Sequence, residues 1–435
     1  MRKTKNLKSV DKKIINSKNN DDKISQGINI LNNYKEKLFE NREKRIGKTL
    51  NEAIEEYELE QNSGNNKGLK RVVFLILISF IVILIYLFFY YGPIVGISVY
   101  RDEGITEEKR IDIVTTDNDI YKMYDNEFLI YSNSKLSTYN GNAKKTWEYS
   151  FSEQFNPNIY VQGKYMVVAN NSTGTIFLFE NKQEILDKKI DGTIQNIYLD
   201  SSGNMAIEYS TSGYKKVIGV FSKGGKNLYN AYLSAGSIID IELLENAKKL
   251  LIFQSSTTSF KVGTKVIVVD GTKTENNTTE ISKLDDNYIY DLTIQGQNII
   301  IVLDSGVIKL NIDTGEKTDI KKFDSAQFMF IGLSSNYYSS IEKKLDSNDD
   351  NYLFQNNRFD NTIIGSVQIE NSPKMMQNTS FLSYIVYQNK LQVINKWGIE
   401  VKNISIDVPP KDIVVFGDQK SIALIYTNKV YIVNI

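Results

Sequence analysis

Ile299-Ile300-Ile301-Val302-Leu303-Asp304-Ser305-Gly306-Val307-Ile308-Lys309-Leu310 is the stretch whose reading decides the fold. A β-branched run, a turn at Asp304-Ser305-Gly306 and a second apolar burst make a β-hairpin. The first run shows no polar alternation, so its strand is buried on both faces. The same pair of bursts recurs along the chain. The first member is Phe128–Ile130, Tyr165–Val168, Met205–Ile207, Leu250–Phe253, Ile299–Val302, Tyr337–Tyr338, Tyr384–Tyr387 and Ile422–Ile425. The second is marked by Leu136, Ile176, Val217, Val266, Val307, Leu353, Leu391 and Val430, at gaps of 40, 41, 49, 41, 46, 38 and 39 residues, with a mean of 42.

Eight units of this period, each with room for four short strands, are the signature of a β-propeller. Helical repeats of similar length need Ala and Leu at 3.6-residue spacing, whereas these bursts are β-branched and aromatic between closely spaced turns. A pair of β-sandwiches is the remaining alternative. The expected fold is therefore all-β, an eight-bladed propeller of four-stranded blades over residues 109–435, with seven blades as the variant count. The eighth unit ends after its third strand at Ile435, so Arg110-Ile111-Asp112-Ile113-Val114 is expected to supply its outer strand and close the ring.

Upstream lies one uncharged run, Val72 to Tyr91, after Lys70-Arg71 and before Gly92-Pro93. Twenty residues of helix rise about 30 Å, the thickness of a bilayer's hydrocarbon core. A buried soluble helix would carry a polar face, and a cleavable signal peptide would begin near the amino terminus. The run reads as an uncleaved, single-pass signal anchor in contact with the lipid bilayer. Residues 1–71 hold 17 Lys and Arg against 11 Asp and Glu in a chain that balances at 52 and 52. Near the span the basic residues tie, Lys67, Lys70 and Arg71 against Arg101, Lys109 and Arg110, so the tail's overall excess places the amino terminus in the cytoplasm. The large second part is then extracytoplasmic. The linker, residues 92–108, reaches at most about 60 Å when fully extended, which keeps that part close to the membrane.

The tail carries Ile28, Leu31, Tyr34, Leu38, Ile46, Leu50, Ile54 and Tyr57 at spacings of a helical face, interrupted by Arg42. An amphipathic helix over about 27–60 is expected, able to pair with itself, hold a cytoplasmic partner or lie on anionic lipid. Asn62-Ser63-Gly64-Asn65-Asn66 follows as a flexible linker. Arg2, Lys3, Lys5, Lys8, Lys12 and Lys13 form a basic start without stacking aromatics, which argues against nucleic acid as a partner.

Composition removes whole classes of chemistry. The chain has no Cys and no His, so disulfides, thiol catalysis, thiolate metal sites, Ser-His-Asp catalysis and His-bearing zinc sites are all unavailable. Its 27 Tyr and 20 Phe against only 5 Pro suit strands joined by tight turns.

Two units, Asn311-Ile312-Asp313-Thr314-Gly315-Glu316 and Tyr139-Asn140-Gly141-Asn142-Ala143-Lys144-Lys145-Thr146-Trp147, resemble repeats in which a third strand leads through a Gly turn to a Trp. Those repeats belong to quinoprotein-like (PQQ-like, WD40-like) propellers, and Asn395-Lys396-Trp397-Gly398 departs from their order. The layout of basic tail, single span and Cys-free propeller looks like a group of membrane-anchored propeller proteins from low-GC Gram-positive bacteria. Quinone-dependent dehydrogenases of this kind typically use a Trp, adjacent Cys residues and calcium; without Cys that activity is not expected here, nor any cofactor. Trp147 and Trp397 read as blade-packing residues.

Further candidates are weak. Asp346-Ser347-Asn348-Asp349-Asp350-Asn351 is dense in oxygen ligands but lacks the spacing of a calcium loop and reads as an extended hairpin loop. Asp240, Glu242, Asp285, Asp286 and Asp291 could supply paired carboxylates, yet no spacing distinguishes them, and they read as solvated turn residues. No catalytic, cofactor or metal residue is assigned, and the binding residues are unknown. The expected function is a membrane-anchored binding scaffold or adaptor for a protein or cell-envelope ligand. A transmembrane sensor and a carboxylate-dependent envelope glycan hydrolase or lyase are the alternatives.

Overall fold

The doubly apolar runs become the second strands of eight four-stranded antiparallel sheets. The computed structural model describes residues 52, 67–91, 105, 109–113, 119–233, 236–258, 261–274, 277–285, 287–323, 328–343, 352–369 and 371–435. The chain divides into two units at residues 85 and 86.

In the second unit the sheets are the blades of an eight-bladed β-propeller. Blades 1 to 7 span residues 120–150, 157–189, 193–232, 238–285, 289–322, 328–369 and 375–405. Blade 8 combines Asp412–Val415, Ser421–Ile425 and Lys429–Asn434 with Arg110–Asp112. Each marker residue of the 42-residue period lies on a third strand. The second strands Tyr165–Asn170, Leu382–Val386 and Ser421–Ile425 are buried at every position, as continuous apolar runs require when both faces pack.

Burial is organised by interface. Eight apolar clusters each join consecutive blades, and each fully buried aliphatic side chain contributes about 1.5–3 kcal/mol. Alternation along a strand divides its side chains between two neighbours. On Lys429–Asn434, Tyr431 and Val433 pack toward blade 7, while Val430 and Ile432 pack toward blade 1 with Phe128 and Ile130. Ile111 joins that second cluster, and its strand pairs antiparallel in the register Arg110↔Tyr431, Ile111↔Val430 and Asp112↔Lys429. The strand is shorter than expected, ending at Asp112; Val114 lies outside the described residues.

Turns follow from side-chain capping. Asn311 Oδ1 accepts the backbone N–H groups of Asp313 at 3.0 Å and Thr314 at 2.9 Å, and Asn395 Oδ1 accepts those of Trp397 and Ile399 at 3.0 Å each. Such Asx turns reproduce a backbone turn with a side chain. Gly174 closes another turn at φ +75°, where a Cβ would stand 2.4 Å from the Ile190 carbonyl oxygen, so only glycine fits.

Blade 6 departs from the apolar rule. Its interface with blade 5 has a small core of Ile300, Val302, Val307 and Tyr338. Toward blade 7 an apolar cluster that includes Ile341 and Phe354 is joined by a polar seam: Ser339 Oγ donates to Asn356 Oδ1 at 2.5 Å, and Asn356 Nδ2 donates to the Asn395 carbonyl at 3.3 Å.

Helix α1 (Lys67–Tyr91), whose residues up to Ile85 belong to the first unit, contains the apolar run and starts before it. Its side chains are described over residues 72–84, and Phe74, Leu75, Ile76, Leu77, Ile78, Phe80, Val82, Ile83 and Leu84 are all exposed, covering every side of the helix. Among the described residues no helix is long and apolar enough to cross a membrane; residues 72–84 alone rise about 20 Å. Apart from Glu52, the amphipathic helix expected over 27–60 lies outside the described residues, as do the basic start and the linker 62–66.

Candidate functional site

In a propeller the innermost strand of each blade lines the central channel. In blades 1 to 8 these strands are Ile120–Tyr124, Pro157–Gln162, Thr193–Leu199, Ile238–Leu244, Ile289–Gln295, Phe328–Leu333, Met375–Asn378 and Asp412–Val415. They pair regularly with their second strands in blades 1, 2, 7 and 8. In the four consecutive blades 3 to 6 the register breaks near the start of the strand, at Ile194/Asn196, Ile238/Asp240, Ile289/Asp291 and Phe328/Phe330. Each break is a bulge that leaves one residue out of the ladder and re-aims it. The displaced residues are Gln195, Ile239, Tyr290 and Met329. All four are exposed, the last three by 41%, 67% and 39%.

Immediately after two of these bulges stand carboxylates. Asp240 Oδ1 accepts the Ile241 N–H at 2.8 Å, and Asp291 Oδ1 accepts the Leu292 N–H at 2.9 Å. Asp291 Oδ2 also accepts the Leu333 N–H of blade 6 at 3.3 Å, tying two blades together. Glu242 is two residues beyond Asp240, hence on the same face of its strand. At the matching position of blade 3, Asn196 Nδ2 donates to buried Glu208 at 2.7 Å, and Lys216 Nζ lies 3.6 Å from that carboxylate.

The groups sense one another electrostatically. Burial, then the charge of Asp240, pushes Glu242 from the ordinary 4.5 up to about 7. Burial also raises Asp240 and Asp291, with the charge of Asp291 adding to the rise of Asp240. Tyr160 of blade 2 and Tyr198 of blade 3 have ring centroids 5.8 Å apart. Burial raises Tyr160 to about 12, with Glu242 and Asp240 contributing, and raises Tyr198 further for the same reasons. Asp240 and Glu242 are half-buried and Asp291 reaches solvent, although all three are raised by desolvation. Protein on most sides and water on one is what a channel wall imposes. No cation is among the causes of these shifts. On the inner strand of blade 1, Lys122 is lowered by its own burial.

The expectation that these acids sit in turns is therefore corrected for three of them. Asp240, Glu242 and Asp291 occupy inner strands and come together, whereas Asp285 ends the exposed outer strand of blade 4 and Asp286 lies outside the described residues. The signal was present in Ile239-Asp240-Ile241-Glu242-Leu243, whose period of two marks a strand rather than a turn. No group of three His, Cys, Asp or Glu among the described residues could hold a metal ion.

The two tryptophans part company. Trp147, on the outer strand of blade 1, stands edge-on to Phe179 of blade 2 with centroids 5.8 Å apart, and so packs blade against blade. Trp397 does so through its backbone, which lies against Gly365 of blade 6; the residue is 42% exposed in the turn between the third and outer strands of blade 7, with Lys396 Nζ 4.8 Å from its ring. In Lys396-Trp397-Gly398 the Trp precedes the Gly and is caught in the turn; in blade 1 it follows the turn and enters the strand. The segment 346–351, between the second and third strands of blade 6, lies outside the described residues.

The chain matches no curated protein. Among solved structures it is similar to the C-terminal WD40 domain of Sif2, at 11% identity and a TM-score of 0.52 over 77% of this chain and 99% of that one. It is also similar to BamB from Moraxella catarrhalis, at 10% identity and a TM-score of 0.47 over 76% and 100% of the two chains. At such identity the likeness to the WD40 domain shows a fold and nothing more. Residues 99–435 match the model described as "Family of unknown function (DUF5711)", and the chain belongs to that family.

Proposed function

We propose that this protein is a single-pass membrane protein whose propeller serves as a non-catalytic binding scaffold for a protein or cell-envelope ligand. The observation that carries the anchoring is the surface of α1: apolar side chains stand exposed around its whole circumference, a surface that water disfavours and lipid accepts. With the run continuing to Tyr91, residues 72–91 are the span, 1–71 the cytoplasmic tail, 92–108 the linker and 109–435 the extracytoplasmic domain. The pairing of Arg110–Asp112 with Lys429–Asn434 supports the reading that this strand closes the ring and removes an open edge. Fusions to alkaline phosphatase, active only outside, and to a fluorescent protein that matures only inside test the topology. Activity of the phosphatase at the carboxyl terminus is the expected result, and cytoplasmic fluorescence there overturns it.

A second reading has one observation in its favour. Glu242, titrating near 7 beside Asp240, has the pKa of a general acid or base working at neutral pH. A carboxylate-dependent hydrolase or lyase acting on envelope glycan would lose turnover in Glu242→Gln while keeping its melting temperature. Absence of turnover of isolated envelope glycans by the unaltered protein removes this reading.

A further inference from the structure

The bulges lie in consecutive blades and make one half of a rim chemically unlike the other. Inner strands begin at the rim that also carries the hairpins between second and third strands. Ile238 pairs with Gln254, and from there the blade 4 hairpin extends four further pairs, to Thr258↔Lys261. On the same rim, Tyr214 and Tyr232 of blade 3 have ring centroids 4.8 Å apart, and both are exposed, as is Tyr288 of blade 5. Exposed apolar side chains gathered in this way mark a contact surface, and tyrosine is among the residues that dominate binding energy when covered.

The charge behind that surface selects the occupant. Asp240 and Asp291 directly follow two displaced residues, Glu242 lies beyond them, and like charge together with desolvation disfavours their ionised forms. A cation entering there relieves both penalties. A bilayer rich in anionic headgroups would be repelled, and a second copy of the same rim would set carboxylate against carboxylate. We infer that the rim of blades 3 to 6 docks a segment of a partner protein in which a lysine or arginine is flanked by apolar residues. The cation enters toward Asp240, Glu242 and Asp291, and the flanking residues cover Ile239, Tyr290 and Met329. This rests on the scaffold reading above and supplies its partner class.

The test places the photocrosslinker p-benzoyl-phenylalanine at Tyr290, and separately at Trp397 on the opposite rim, in the full chain in intact source cells. Adducts are sequenced by mass spectrometry. The expected adduct at position 290 is a peptide of another protein with a basic residue adjoining apolar ones. Its yield should fall about tenfold or more in Asp240→Asn with Asp291→Asn and stay unchanged in Asp285→Asn, with melting temperatures confirming that each variant is folded. An adduct with lipid, with a second copy or with a peptide lacking a basic residue overturns the inference, as does a yield indifferent to the double substitution. An adduct at 397 with none at 290 removes this half-rim but leaves the scaffold standing. Absence at both positions removes both.

Discussion

At the scale of single residues, Glu242 is the group with a sign to work out. Its folded pKa is about 7 against the ordinary 4.5, so between these values the folded state binds more protons than the unfolded chain and stability falls as pH rises. Below about pH 4.5 both states are protonated and nothing is lost; above about pH 8 the penalty is complete, at most about 3 kcal/mol. Glu242→Gln keeps the shape of the neutral acid. It should leave stability unchanged at pH 4.5 and raise it by about 1–3 kcal/mol at pH 8. Denaturant unfolding at the two pH values measures this, and equal stability at pH 8 would show that Glu242 is solvated. The residue itself was in view among the candidate acids. Asp240 was in view with it, but the tyrosines beside them were not, because Tyr160 and Tyr198 come from other blades and a period of 42 residues does not say which inner-strand positions face one channel.

At the scale of elements, the strands were legible because most second strands carry an apolar run, and the least legible unit is also the least apolar. Blade 6 offers Tyr337-Tyr338-Ser339-Ser340-Ile341 where blade 5 offers Ile299-Ile300-Ile301-Val302-Leu303. The structure places Ser339 in the polar seam with Asn356 of its own blade and the Asn395 carbonyl of blade 7, while Ser340 donates to Glu342. A hydrogen bond nets only about 1 kcal/mol, less than the aliphatic side chain it stands in for. Local opening should therefore begin at blade 6. Native-state hydrogen exchange is expected to give the amides of residues 337–343 and 352–358 lower protection than those of residues 382–386 and 421–425; equal protection would show that the seam holds as firmly as an apolar core. The bulges, by contrast, were hidden. Ile238-Ile239-Asp240 and Ile289-Tyr290-Asp291 each place two apolar residues before an acid, as the start of a strand also can, and a one-residue slip in register is set by the partner strand, not by the strand's own sequence.

At the scale of the whole molecule the question is what holds a ring of eight similar blades shut. The last three strands of the chain supply three of the four strands of blade 8, and Lys429–Asn434 divides its side chains between the two flanking interfaces. Deleting residues 429–435 takes Val430, Tyr431, Ile432 and Val433 from both cores at once. At about 1.5–3 kcal/mol for each buried side chain that loss rivals the net stability of a typical domain, so a single cooperative melt should disappear. That result alone would not separate the role of Arg110–Asp112 from that of the strand it pairs with. The cysteine-free sequence permits a cleaner test, since Asp112 and Lys429 stand opposite each other in register. Asp112→Cys with Lys429→Cys introduces one pair that can join only if the strand sits at the outer edge of blade 8. Oxidation would then close a loop of more than 300 residues and restrict the unfolded chain by several kcal/mol. The expected outcome is a monomer-internal disulfide with a melting temperature raised by several degrees and restored to its starting value on reduction. Thiols that stay free under oxidant, or a disulfide that leaves the melt unmoved, would show that the ring is held by blade packing alone and that the amino-terminal strand is an accessory to it.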